Sequence, residues 1–437
     1  MYKEKAWVHI RDSFWFLPTI YSMLSIICVS LVTMVDLWII PKVKESVPSI
    51  LLMNTSTAQT LYGSLITSIL TMTTISFSTI MVVLTTYSTQ FSPRTLQDFM
   101  KSRVTQHVLG VFSFGFIFVI INLLLMGGEQ SKALISPFLT VIVSIVCLGF
   151  FIVFIHHSSR FVQVNNLIGK IRLSTSKVIK KTFQDKDFQE ASEWNEQNIA
   201  EGKEAEKKAI YARESGYAQA VQISSLVEWA SRRDALLEAN FYIGSYIQKG
   251  MPVYSCWSNI EDQEELDSCN EFLLIGNERT DLQDIEFSIQ KLVEIAVKAI
   301  SPAVNDPHTA VDCINRIGSL LAELGTVYKP IRYYGDEEQV LRLIMEPLSF
   351  EQYLYKSFYQ LRIYGSKDIS VMNGVLEALF KVASVNGEAV KRDVWKFGLY
   401  IIRAVDVKEL DELDYEQFAY FAERLAASCN MSSPLER

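Results

Sequence analysis

Four side chains in the second half of the chain have the types that acid–base or phosphate chemistry uses: the guanidinium of Arg279, the amide of Asn305, the carboxylate of Asp306 and the imidazole of His308. A carboxylate beside an imidazole can move a proton, and a guanidinium can grip an oxyanion, once geometry brings them together. The same residues have a plainer use. Asp306 followed by Pro307 is suited to cap a helix and fill its first turn, where a missing N–H costs nothing. The sequence has no Gly-rich phosphate loop, no HExxH and no defensible Ser-His-Asp order. We therefore expect no enzyme, and read Arg279, Asn305, Asp306 and His308 as a candidate ligand-binding set. The six cysteines, Cys28, Cys147, Cys256, Cys269, Cys313 and Cys429, show no metal-like pairing, so neither metal nor cofactor is expected.

A second chemical pattern lies in LTMTTISFSTIMVVLTTYSTQFSPR, Leu70 to Arg94, where eleven of 25 residues are Ser or Thr. Ser64, Thr67, Thr71, Thr74, Ser78, Met81, Thr85 and Ser88 follow alternating steps of three and four, which keeps them on one helix face with a period of about 3.5. Hydroxyls in hydrocarbon find partners in another helix, in their own backbone four residues back, or in water. The stripe is thus helix glue or the wall of an aqueous path, and we take these eight residues as candidate pore-lining positions.

The elements that carry these groups are of two kinds. No charged residue occurs from Ser13 to Val35, Ser46 to Pro93, Val108 to Gly128 or Ala133 to Ile155, although charged residues make up 21% of the chain. Each stretch is long enough for a membrane span, for which about 20 apolar residues suffice. The expected spans are about 14–38, 61–88, 106–127 and 133–156. Pro48 and Asn54-Thr55-Ser56-Thr57 are read as an entry loop before the second, and Asp36 as an interfacial acid. Lys and Arg concentrate before span one (Lys3, Lys5, Arg11), between spans two and three (Arg94, Lys101, Arg103) and after span four (Arg160, Lys170, Arg172), which places both termini in the cytoplasm. The first apolar stretch is too long for a signal peptide and has no small-x-small cleavage site after it.

The rest is charged and soluble in character, and a net charge of -8 offers no argument for nucleic acid. We divide the chain into a four-helix transmembrane domain (1–160), a basic, helical stalk (161–210), a small β-containing module (211–275), a helical hairpin joined by SPAVNDPHTA (276–330) and a helical C-terminal domain (331–437). In the hairpin, Thr280 with Gln283 is a candidate capping box. LRLIMEPLSF, VLEALFKVA and VWKFGLYIIRAV supply apolar helical faces to the last part. The fold class is membrane α-helical, four transmembrane helices, with a cytosolic α+β and helical C-terminal region.

ISPAVNDPHTAVDCINRIG, the upstream NERTDLQDIEFSIQKLVEIAVKAI and the stretch STQFSPRTLQDFMKSRVTQHVLGVF resemble a large bacterial family of predicted membrane proteins of unknown function, over about residues 10 to 325. The resemblance implies a bacterial inner-membrane protein with four spans and a cytosolic domain, and supplies no activity. Four spans are few to enclose a pore alone, so the stripe points to a homo-oligomer in the lipid bilayer, acting as a conduit for ions or small solutes under a cytosolic regulatory module. The alternative is a membrane-anchored sensor or scaffold with no conduction.

Overall fold

The computed structural model describes residues 15–43, 48, 52–90, 102–126, 133–184, 194, 199–200 and 202–435. Two compact units divide the chain at Leu167 and Ile168. The first is a bundle of four helices: α1 (Phe16–Met34), α2 (Thr55–Gln90), α3 (Arg103–Leu125) and α4 (Ser136–Val162). All four are long and apolar enough to cross a membrane. The third is the most buried, and α1, α2 and α4 all pack on it. Small residues allow the approach: Gly110 faces the ring of Tyr21, and Gly115 faces Cys147 Sγ and Ile69.

Polar groups inside the bundle are satisfied locally. Ser25 Oγ donates to the Phe114 carbonyl at 2.8 Å, and Asn122 Nδ2 to that of Phe118 at 2.7 Å. Asp36, expected at the outer boundary of span one, is only 6% exposed within the protein. A π-helical turn, Val35–Ile39, follows α1, and the Asp36 carboxylate within it accepts from the backbone N–H groups of Ile135 and Ser136 at 2.8 and 3.3 Å. It supplies from α1 the negative charge that the N-terminus of α4 favours. Of the entry loop expected before span two, Thr55, Ser56 and Thr57 are helical, because α2 begins at Thr55, while Asn54 lies in a strand. Strand β1 (Met53–Asn54) pairs with β2 (Ala133–Leu134) and fixes the chain just before it. Neither Gly nor Pro follows until Gly63, so the helix runs through the polar residues.

Ser88's side chain, the QFSPR block from Phe91 to Arg94, Lys101 and residues 185–193, 195–198 and 201 of the expected stalk lie outside the described residues. The described part of that stalk includes α5 (Val164–Gln184). Its Ile168, Ile171, Val178, Ile179 and Phe183 are buried, while Lys170, Lys177 and Lys180 are exposed. It lies beside α9 (Pro307–Val327), to which Ser176 Oγ donates through Glu323 at 2.7 Å.

The second unit holds a mixed sheet and a smaller antiparallel one. The mixed sheet has the order β3 (Lys207–Tyr211), β7 (Pro252–Trp257), β5 (Leu236–Ala239), β10 (Leu341–Met345), β9 (Arg332–Gly335), and only β5 and β10 run parallel. The smaller sheet has the order β6 (Tyr246–Ile247), β4 (Gly216–Val221), β8 (Leu273–Gly276). Helices α6 (Ile223–Ser231) and α7 (Gln263–Asp267) complete this part, whose core includes Leu226, Trp229, Leu237, Tyr254 and Leu343. Strand β10 corrects the helical reading of LRLIMEPLSF. A short run buried on both faces shows no period that distinguishes strand from helix, and the Pro347 that follows ends it.

The remaining helices form an array. Helices α8 (Ile285–Ala299) and α9 pack as a hairpin, α10 (Phe350–Gly365) lies on α8, and α11 (Ile369–Ser384) lies on α9. The last two, α12 (Glu388–Ile402) and α13 (Glu412–Ser428), pack on α11. Gly365 and Gly387 mark breaks between helices as expected, and the capping box is formed by Ser349 and Gln352 at the start of α10.

Candidate functional site

The hydroxyl stripe keeps its face in the folded helix. Ser64, Thr67, Thr71, Thr74, Ser78, Met81 and Thr85 are all exposed within the protomer. Ala58, Tyr62, Ile69, Ser76, Ile80 and Val83, the other face of α2, are buried against the bundle. Five of the stripe hydroxyls bond to their own helix. Thr67 donates to the Gly63 carbonyl at 3.0 Å, Thr71 to Thr67 at 2.8 Å and Thr74 to Leu70 at 2.9 Å. Ser64 and Thr85 do the same toward Thr60 and Met81. In these five the single O–H proton is spent inward, which leaves the oxygen lone pairs as acceptors.

The second candidate set is divided by the fold. Arg279 precedes the start of α8, whereas Asn305, Asp306 and His308 follow its end. Fifteen helical residues, roughly 22 Å at the usual rise, separate them. Asp306 caps α9 as expected, accepting from Thr309 N at 3.1 Å and Thr309 Oγ1 at 2.6 Å. Those bonds hold its carboxyl below the usual carboxylate range. Asn305 sits in the left-handed region at φ 51°, where its N–H donates to the Ser301 carbonyl at 2.8 Å. Its side chain and that of His308 are exposed. SPAVNDPHTA is accordingly built as a helix–helix junction.

Arg279 belongs to a different constellation. Its Nε and Nη2 donate to the Asp284 carboxylate at 2.8 and 2.9 Å, and Nη2 also meets Glu286. Lys356 on α10 completes the group, 3.6 Å from Glu286. Asp284 is 2% exposed, and burial pushes its carboxyl up to about 6 although Arg279 and the Phe287 N–H pull the other way. It also caps α8, accepting from Phe287 N at 2.9 Å, a role the sequence reading gave to Thr280. Gln283 instead spans to Val221, bonding both its N–H and its carbonyl at 3.0 Å. Gly244, at φ +87°, lies where a Cβ would overlap Asp284 Oδ2. Two cations and two carboxylates thus cancel beneath a glycine, which is a structural clamp on the entry to α8.

Two of these residues carried a signal in the sequence. Asp284 immediately precedes the apolar run, and Glu286 lies on the face of Ile289 and Val293, where a charge is out of place. Gly244 and Lys356 carried none, since only the tertiary fold brings them here. Among the described residues, no group of His, Cys, Asp and Glu is arranged to hold a metal ion.

A family model described as predicted membrane protein (DUF2254) matches residues 11–381. The chain belongs to this family. Uncharacterized proteins of Mycobacterium tuberculosis and Mycobacterium bovis are 28% identical over 426 residues, a match covering 93% of this chain and 78% of the relatives. No solved structure matches the chain significantly. The resemblance of the SPAVNDPHTA, NERT and QFSPR blocks is thereby resolved to this family, and the four apolar helices accord with its membrane description.

Proposed function

We propose that this member of the family assembles as a homo-oligomer in the bacterial inner membrane, both termini cytoplasmic, with copies of α2 turned toward a common axis to line a conduit for ions or small solutes. The observation that carries the reading is the hydroxyl-rich face of α2, which includes Met81 and is directed away from α3 and α4. A polar face on a membrane helix is best placed against another polar face or water. Because the O–H protons of Ser64, Thr67, Thr71, Thr74 and Thr85 are engaged inward, these residues offer acceptors, which suits hydrated cations better than anions. Met81, 61% exposed in the middle of the hydroxyls, is the position at which such a path narrows. The second unit serves as the regulatory module, and no catalysis is assigned to the chain.

One observation favours the alternative of a membrane-anchored sensor or scaffold: bonds to the carbonyl four residues back satisfy the hydroxyl donors without water or a partner helix. Purified protein in liposomes separates the two. The conduit reading expects potassium flux exceeding chloride flux, reduced by Thr71→Val and Ser78→Val. Absence of flux in wild type and variants alike removes it.

A further inference from the structure

We infer that the exposed face of α5 is a docking surface for the headgroups of anionic phospholipids. The helix carries five cations, Lys170, Arg172, Lys177, Lys180 and Lys181, and no carboxylate, in a chain whose net charge is -8. Charge of one sign, set against the trend of the whole chain, suits a polyanionic partner.

The fold sorts these residues by face. Lys170, Leu173, Ser174, Lys177, Lys180 and Lys181 are exposed at steps of three and four, which is one side of a helix, whereas Ile168, Ile171, Thr175, Val178 and Ile179 are buried on the other. Contacts with α9 on the flanks fix that rotation: Arg172 Nη2 donates to Ser319 Oγ at 3.4 Å and Ser176 Oγ to Glu323 at 2.7 Å. Lys180 lies toward the same flank, 3.8 Å from Glu323. The centre of the face is therefore Lys170, Leu173, Ser174 and Lys177, a full repeat of i, i+3, i+4 and i+7.

Two observations select a lipid surface among polyanions. Gln163 alone separates α5 from α4, a helix long and apolar enough to cross a membrane. Eight residues lead from the end of α4 to Lys170, at most about 29 Å even fully extended, so the face is tethered within reach of headgroups. Leu173, 57% exposed among the cations, adds the shallow apolar contact that suits the boundary of headgroup and acyl chain. Because the apolar side of α5 is already buried in the protein, the attachment is chiefly electrostatic and salt weakens it. The inference rests on α4 spanning the membrane and not on conduction.

The test uses the full chain with an environment-sensitive fluorophore on Ser174→Cys, in nanodiscs of phosphatidylcholine alone or with added phosphatidylglycerol, each with a trace of lipid bearing a headgroup nitroxide. The unsubstituted chain treated with the same reagent gives the background from native cysteines. Quenching is expected in the anionic discs and not in phosphatidylcholine discs or at molar salt. It is expected to be lost in Lys170→Glu/Lys177→Glu, since each cation removed weakens docking roughly fivefold. The lipid and salt contrasts stand even where that double variant fails to fold. Equal quenching in both lipids, quenching insensitive to salt, none in anionic discs that contain the chain, or unchanged quenching in a folded double variant would each overturn the assignment. Failure of the chain to co-elute with discs is a separate result, which would overturn the membrane placement of α4 and the docking with it.

Discussion

Thr67, Thr71 and Thr74 in the bundle turn their protons back to their own helix, whereas Arg279, Asp284, Glu286 and Lys356 in the second unit reach across a loop and two helices to one another. The difference is between local and non-local satisfaction. A back-bonded hydroxyl depends on nothing outside its own turn, so its face is free for assembly. A charge cancelled by distant partners leaves them stranded when it is removed.

The comparison is tested most severely at Arg279. Arg279→Ala leaves two buried carboxylates with Lys356 alone, and should destabilise the second unit by about 3–5 kcal/mol. Thermal and urea unfolding of the full chain in detergent would measure this, and a loss under about 1 kcal/mol would contradict non-local cancellation. Gly244→Ala acts on the same clamp through sterics and a left-handed backbone, and should cost about 1–3 kcal/mol by the same assay.

Proton linkage sharpens the contrast further. Folded Asp284 has its carboxyl raised from 3.8 to about 6, so the folded chain binds that proton more tightly than the unfolded one. Its contribution to stability is therefore full at the acid end and is lost as pH rises from about 4 to about 6. The difference in stability between wild type and Asp284→Asn should change across that window and be flat above it. The smallest effect belongs to the stripe. Thr71→Val removes a locally bonded hydroxyl on an exposed face, and should alter protomer stability by no more than about 0.5 kcal/mol. A large loss there would mean that the face is already packed.

The four apolar helices and the stripe were legible in the sequence because each is written in consecutive residues at a helical period. Asp306 was legible as a cap for the same reason. Arg279 was visible as a charged residue near a helix start and its partners Asp284 and Glu286 carried a signal, but Gly244 and Lys356 did not, since they are brought there only by the tertiary fold. The expected meeting of Arg279 with Asp306 failed on distance, because a 15-residue helix stands between them. Strand β10 was hidden by its own apolarity, and its partner β5 is about a hundred residues earlier in the chain. In α5 the lysines masked the apolar stripe of Ile168, Ile171 and Ile179.

The most direct measurement is the rate at which single cysteines at positions 67, 70, 71, 74, 77 and 78 of α2, in protein reconstituted in membranes, react with a membrane-impermeant, water-soluble thiol reagent. A water path through the assembly predicts fast labelling at 67, 71, 74 and 78 and slow labelling at 70 and 77. Uniformly slow reaction at all six, or labelling at 70 and 77 as fast as at 67, 71, 74 and 78, would contradict it.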